Sequence, residues 1–175
     1  MDWICKALGG FLVFGACAWA GIRLSRRDML QIGELAAFRS ALLTLKSEIQ
    51  YARTPLAEAF AYTAALAEPP ANTFFQAMSE QLTQHNGESA AQVWDESLRS
   101  LRSTTLLADE DFRRFSLLGQ SIGCLDSQTQ AEGLDAAMHH IDERVQALRN
   151  HGDKHARMYR SVGALLGALL VIALL

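Results

Sequence analysis

From residue 28 to residue 157, apolar positions recur every three or four residues, the spacing of helices that bury one face. The first run predicts a helix from Asp28 to Arg53, with Ile32, Leu35, Phe38, Leu42, Leu45 and Ile49 on one stripe. Thr54-Pro55 closes it and opens a second helix over Leu56–Leu66, with Thr54 as cap and Pro55 at the first turn. Glu68-Pro69-Pro70 is a hard break, because a residue before proline is pushed out of the helical region. A third helix follows, capped by Asn72 or Thr73, with Phe74, Phe75, Met78 and Leu82 facing inward. His85-Asn86-Gly87 predicts a turn, and Ser89 with Gln92 a capping box for a fourth helix burying Val93, Trp94, Leu98 and Leu101. Past a Ser103-Thr104-Thr105 loop, Asp109-Glu110-Asp111 places negative charge where a fifth helix begins. Its stripe is Phe112, Phe115, Leu118 and Ile122, and Gly123 is its stop. Asp126 or Ser127 caps the sixth helix, with Ser127 and Gln130 fitting a second capping box. Leu134, Met138, Ile141, Val145 and Leu148 form its stripe. No strand pattern competes, so the reading is an all-α fold: a six-helix bundle of about 130 residues, enough for one core.

The two ends are patterned differently. Ala7–Ile22 carries no charge, and counting from Trp3 gives 20 residues interrupted only by Lys6, which can snorkel. A spanning helix needs about 20 residues. At the other end, Tyr159–Leu175 gives 17 residues with Arg160 as the only charge, apolar on all faces. The segments 3–24 and 159–175 are therefore read as transmembrane helices flanking a domain at 28–157. Ala18-Trp19-Ala20 resembles a signal-peptide cleavage site and Gly15-Ala16-Cys17 the end of a lipoprotein box. However, Phe14 breaks that box, and the basic residues follow the apolar run instead of preceding it. The reading therefore favours a retained span. Only Gly152 interrupts the run ahead of the second segment, so the sixth helix is free to continue into it.

Charge sharpens this division. The whole chain, 175 residues long, is close to neutral at −3, with mean hydropathy +0.06 and pI about 5.9, which gives no basic field for nucleic acid. Residues 28–157 hold 18 acidic against 11 basic residues, a balance near −7. Arg23, Arg26 and Arg27 collar the first apolar segment, and Lys154, Arg157 and Arg160 the second, each on the side of the central domain. By the positive-inside rule, the central domain is cytoplasmic and both termini lie across the membrane.

Candidate chemistry is sparse. No Glu-x-x-His pair exists for a di-iron bundle, and no His-Glu-x-x-His for zinc. His151 and His155 stand four apart, yet without a third ligand or a base they read as solvated side chains near headgroups. Cys5, Cys17 and Cys124 are single thiols, there is no phosphate-cradling glycine loop with a lysine, and no Ser-His-Asp pattern stands out. The reading is a non-enzymatic protein without cofactor, metal or catalytic residues. Asp109-Glu110-Asp111 is most simply a helix start, with docking of a basic partner by an exposed acidic cluster as the other reading.

Glu48-Ile49-Gln50-Tyr51-Ala52-Arg53-Thr54-Pro55-Leu56-Ala57-Glu58-Ala59 resembles the EI-x-Y-x-x-TPL-x-EA motif of the stage III sporulation protein AB family. Leu118-Gly119-Gln120-Ser121-Ile122-Gly123-Cys124-Leu125-Asp126-Ser127-Gln128-Thr129-Gln130 resembles its LG-x-x-LG-x-x-D-x-x-x-Q motif, with Ile122 where leucine is usual. The apolar tail with Gly163 and Gly167, and Gly9-Gly10 and Gly15 near the start, also fit. Tyr51, Thr54, Pro55, Leu118, Gly119, Gly123, Asp126 and Gln130 are the structural motif positions, read as architectural: a corner, a close helix approach, a stop and a cap.

The resemblance implies a soluble part similar to the cytoplasmic domain of the F-type platform protein of type II secretion. It also implies a place in the channel complex that joins mother cell and forespore, in the mother-cell membrane facing the forespore. The implied role is a platform that anchors or couples a secretion-type ATPase, stage III sporulation protein AA, to other channel subunits, with a homo-oligomer left open. A membrane-attached regulatory or ligand-sensing helical protein is the alternative.

Overall fold

The computed structural model describes residues 26–84, 89–122, 124 and 126–174, the stretch 151–174 as helical backbone only. These residues are helical or irregular, with no strand among them. The helices are α1 (26–47), α2 (Leu56–Leu66), α3 (Ala71–Thr83), α4 (Ala90–Leu101), α5 (Asp109–Ile122) and α6 (Ser127–Leu174). The chain divides into two units. Leu30–Val145 forms one, and Met1–Met29 with Gln146–Leu175 the other. The aromatic core and both motifs lie within the first unit.

The predicted stripes are the buried faces. On α1 these are Leu35, Phe38, Leu42 and Leu45, continued by Ile49, while Ile32 is half-buried. Instead of staying α-helical to Arg53, the chain widens into a π turn at Glu48–Ala52. It ends on Arg53 in the left-handed conformation (φ 52°, ψ 35°), and the Arg53 N–H donates to the Glu48 carbonyl. Thr54 does not cap α2. Its hydroxyl donates back to Glu48 Oε2 at 2.8 Å, and Pro55 takes the N-cap position without a side-chain cap. The corner is thus held from the preceding turn, while Pro55 fixes the direction in which α2 leaves.

Pro69–Pro70 is cis, and Pro70 stands at the N-cap of α3. Neither Asn72 nor Thr73 caps that helix, because both lie inside its first turn. The Thr73 hydroxyl donates to the Pro70 carbonyl instead (2.8 Å). Leu82 is half-buried. At α4 the capping box forms as predicted, with the Gln92 N–H donating to Ser89 Oγ and the Ser89 N–H to Gln92 Oε1. The His85-Asn86-Gly87 turn lies outside the described residues.

The core is an aromatic cluster contributed by five helices: Phe38, Phe60, Phe74, Phe75, Trp94 and Phe115. Phe74 meets Trp94 edge to face, ring centres 4.8 Å apart and planes at 86°, the arrangement aromatic quadrupoles prefer. Fully burying such side chains is worth about 1.5–3 kcal/mol each. α6 closes the bundle with Leu134, Met138 and Ile141, Val145 being half-buried. Two ion pairs tie α6 to α1. Asp142 accepts from Arg39 at 2.6 and 3.1 Å, and Asp135 from Lys46 at 2.7 Å. The hydrogen bonds and charge of Asp142 raise the Arg39 guanidinium above its ordinary value.

Candidate functional site

The first motif forms an exposed corner. Tyr51 lies in the π turn with 79% of its surface open to solvent, and Pro55 is exposed beside it. Thr54 is half-buried over Glu48. A tyrosine this exposed contributes nothing to the core, so its place is on a surface other molecules can reach.

The second motif is a packing and turn device. Leu118 and Gly119 are buried on α5. A Cβ at Gly119 would lie 2.7 Å from Trp94 Cγ, too close for any real contact. The indole occupies that space because its Nε1–H donates to the Phe115 carbonyl at 2.7 Å, one helical turn before Gly119. Glycine at 119 therefore allows α4 to lay its tryptophan on the α5 backbone. Gly123 lies outside the described residues, and α5 ends at Ile122.

Asp126 opens α6. Its carboxylate accepts from the Thr129 N–H (3.0 Å) and hydroxyl (2.7 Å) and more weakly from the Gln128 N–H (3.4 Å). These bonds hold its carboxyl below the usual carboxylate value, the Thr129 hydroxyl contributing most. The predicted Ser127–Gln130 box does not form. Gln130 Nε2 reaches back to the carbonyls of Ile122 (2.8 Å) and Cys124 (2.7 Å), satisfying the open end of α5. Among the described residues, no hydrogen bond or ion pair links this motif to the Tyr51 corner. The two are separate structural features.

A third cluster escapes the sequence pattern. Asp111 is fully buried, so of the Asp109-Glu110-Asp111 run only Asp109 and Glu110 are exposed. Asp111 Oδ2 accepts from the Ala108 N–H at 2.9 Å, the reciprocal half of a capping box at the start of α5. Its Oδ1 lies 3.0 Å from His140 Nε2 and 3.5 Å from Arg144 Nε, both on α6. His140 keeps only 10% of its side-chain surface. The trio joins α5 to α6 and has no room for a substrate at the carboxylate. The spacing of Ala137, His140 and Arg144 beside the α6 stripe was the available signal.

Of the collar residues, Arg26 and Arg27 are exposed at the start of the described chain. Arg23 and the side chains of Lys154, Arg157 and Arg160 lie outside the described residues, as do those of His151 and His155. Segment 3–24 lies there too. Over 159–175 only helical backbone is described, to Leu174. Among the described residues no helix is long and apolar enough to cross a membrane. Among them, too, no three His, Cys, Asp or Glu residues are grouped to hold a metal ion.

Known proteins match this chain over nearly its whole length. The family model for stage III sporulation protein AB matches residues 6–175. Stage III sporulation protein AB of Bacillus subtilis (strain 168) is 28% identical over 170 residues, covering 97% of this chain and 99% of the relative. A solved structure of a stage III sporulation protein AB superposes with a TM-score of 0.66 at 27% identity, covering 71% of this chain and 97% of that one. The superposition bears on the helical fold, and the family match takes in both motif corners and the apolar C-terminal stretch. The chain belongs to the stage III sporulation protein AB family, and its role is sporulation-related.

Proposed function

We propose that this chain is a non-enzymatic membrane platform of the sporulation channel. It stands on two transmembrane legs, 3–24 and 159–175, in the mother-cell membrane facing the forespore. Its helical bundle lies in the cytoplasm, where it anchors or couples a secretion-type ATPase, stage III sporulation protein AA, to other channel subunits. The bundle is similar to the cytoplasmic domain of type II secretion platform proteins. The observation that carries this reading is the end-to-end correspondence with the family, residues 6–175, which takes in the C-terminal leg and most of the N-terminal one as well as the bundle. The exposed Tyr51 corner agrees with a protein that works by contact. So do the identified motif residues, whose roles are helix turns, caps and close packing.

The test is direct binding. The full chain is reconstituted in lipid nanodiscs and titrated with purified stage III sporulation protein AA from the same organism, with and without nucleotide. Saturable binding is expected, together with weakening by Tyr51→Ala at the exposed corner. No binding in either nucleotide state would remove the coupling role.

A further inference from the structure

We propose that the groove between α4 and α5 is a docking site for an acidic, partly apolar segment of a partner protein. The groove is a shallow, solvent-open depression of about 370 Å³ lined by Asp95, Leu98, Arg99, Arg102, Asp109, Phe112, Arg113 and Ser116. Its setting is electrostatically abrupt. Residues 54–98 contain six acidic residues and no Lys or Arg. Arg99, Arg102, Arg113 and Arg114 follow, four of the 11 basic residues in 28–157, and three of them line this groove.

The internal pairing leaves positive charge unused. Asp95 is occupied by the Ser116 hydroxyl, which donates to it at 2.8 Å. Asp109 is paired with Arg102, whose guanidinium also lies 5.4 Å from the centre of the Phe112 ring. Asp95 keeps its charge, since a hydroxyl donor is neutral, so three arginines against two carboxylates give the groove lining a net charge of +1. Arg99 and Arg113 are exposed and have no ion-pair partner among the described residues. Arg99 sits in the last turn of α4, where the helix dipole favours a cation. Arg113 has no such reason, since it lies one turn into α5, near the positive end of that helix.

The chemistry selects the occupant. A guanidinium presents a planar fork that matches a carboxylate with two parallel hydrogen bonds. Two such forks stand on α4 and α5, and Leu98 and Phe112, both largely buried, supply the apolar part of the groove lining. Carboxylates flanking an apolar side chain use both features, whereas a bare phosphate leaves the apolar part uncovered. In a domain near −7, such an island selects an acidic partner against the repulsion of the surrounding surface.

The experiment uses the full chain in nanodiscs of neutral lipid and a fluorescein-labelled peptide of Asp and Glu residues around a central Leu, read by anisotropy. Binding is expected to weaken as salt rises. It should drop by about tenfold or more in Arg99→Glu/Arg113→Glu. Arg149→Glu, outside the groove, should leave it unchanged, and replacing the central Leu by Ser should weaken it. Should the double reversal lose helicity, Arg99→Gln/Arg113→Gln must show a loss of the same sign. Equal binding by wild type and either groove variant overturns the proposal. So does competition by inorganic phosphate at the affinity of the peptide, which would make the groove a small-anion site. A changed sedimentation of the chain alone in the groove variants would make the occupant a second copy, and this too overturns the assignment.

Discussion

Gly119 and Gly33 show how differently one residue type can act within one bundle. At Gly33, on the exposed side of α1, a Cβ would meet nothing within 4 Å. Gly33→Ala should stabilise by about 0.4–1 kcal/mol, by restricting the unfolded chain. At Gly119 the same methyl meets the Trp94 ring, which is pinned by its hydrogen bond to Phe115. Overpacking costs about 1–3 kcal/mol and the helix-propensity gain returns about 1. Gly119→Ala should therefore destabilise by about 0–2 kcal/mol net. Hydrogen exchange of α5 amides in the full chain checks both, with faster exchange expected for Gly119→Ala and not for Gly33→Ala. An unchanged rate in Gly119→Ala would mean that the indole moves aside at little cost. The close approach at Gly119 is legible from its motif, because small residues are rarely needed inside a helix unless something lies against them. Gly133 is not legible in the same way. A Cβ there would come within 2.8 Å of Ser121 Cβ, a contact across α5 and α6 that no local pattern encodes.

Element boundaries follow from local rules, and so most are readable. The predicted limits of α2, the Ser89–Gln92 box and the Asp109 start of α5 depend on residues within one turn of the boundary. Capping is not readable where a side chain has a better partner elsewhere. Thr54 turns back to Glu48, and Gln130 to the end of α5. Asp126 illustrates the consequence for pH. Its folded value lies below the unfolded one, so its cap is fully stabilising above the ordinary aspartate value of about 3.9. That contribution is lost as pH falls through the lowered folded value. Asp126→Ala should thus speed exchange in the first turns of α6 at neutral pH, with the difference from wild type vanishing in strong acid. A difference that persists there would assign the effect to packing. Asp111 departs further from its pattern, since an acidic residue in a first turn ordinarily faces water. Asp111→Ala leaves His140 and Arg144 without their carboxylate and the Ala108 N–H without an acceptor. The expected loss is about 3 kcal/mol, the lower end of the cost of breaking a buried pair, because Arg144 can still reach solvent. Asp111→Asn keeps an acceptor for Ala108 and should cost less, as denaturant midpoints of the two variants will show.

At the scale of the whole molecule, pattern and charge argue together. Residues 28–153, with 18 acidic against nine basic residues, a balance near −9, lie between two basic collars, and each collar adjoins an apolar stretch. An acidic bundle held beside an anionic leaflet is repelled by it, while the collars are attracted, each Lys or Arg near the surface contributing about 1 kcal/mol. The proposed topology uses the second force: the collars fix where the legs enter the membrane. It also places the groove arginines on a surface open to acidic partners in the same compartment as the ATPase. The orientation is testable without any partner. A reporter inserted between α3 and α4, near residue 86, should behave as a cytoplasmic protein, with β-galactosidase active and alkaline phosphatase inactive. Reporters fused at either terminus should give the opposite pattern. If Arg23, Arg26 and Arg27 set the orientation of the first leg, reversing all three to Glu should lower or invert the asymmetry. The same reversal at Lys154, Arg157 and Arg160 should act on the second leg. Alkaline phosphatase activity at the central insertion in the unmodified chain would move the bundle across the membrane. That outcome would separate it from any cytoplasmic ATPase and leave the family's membership without the coupling role proposed for it.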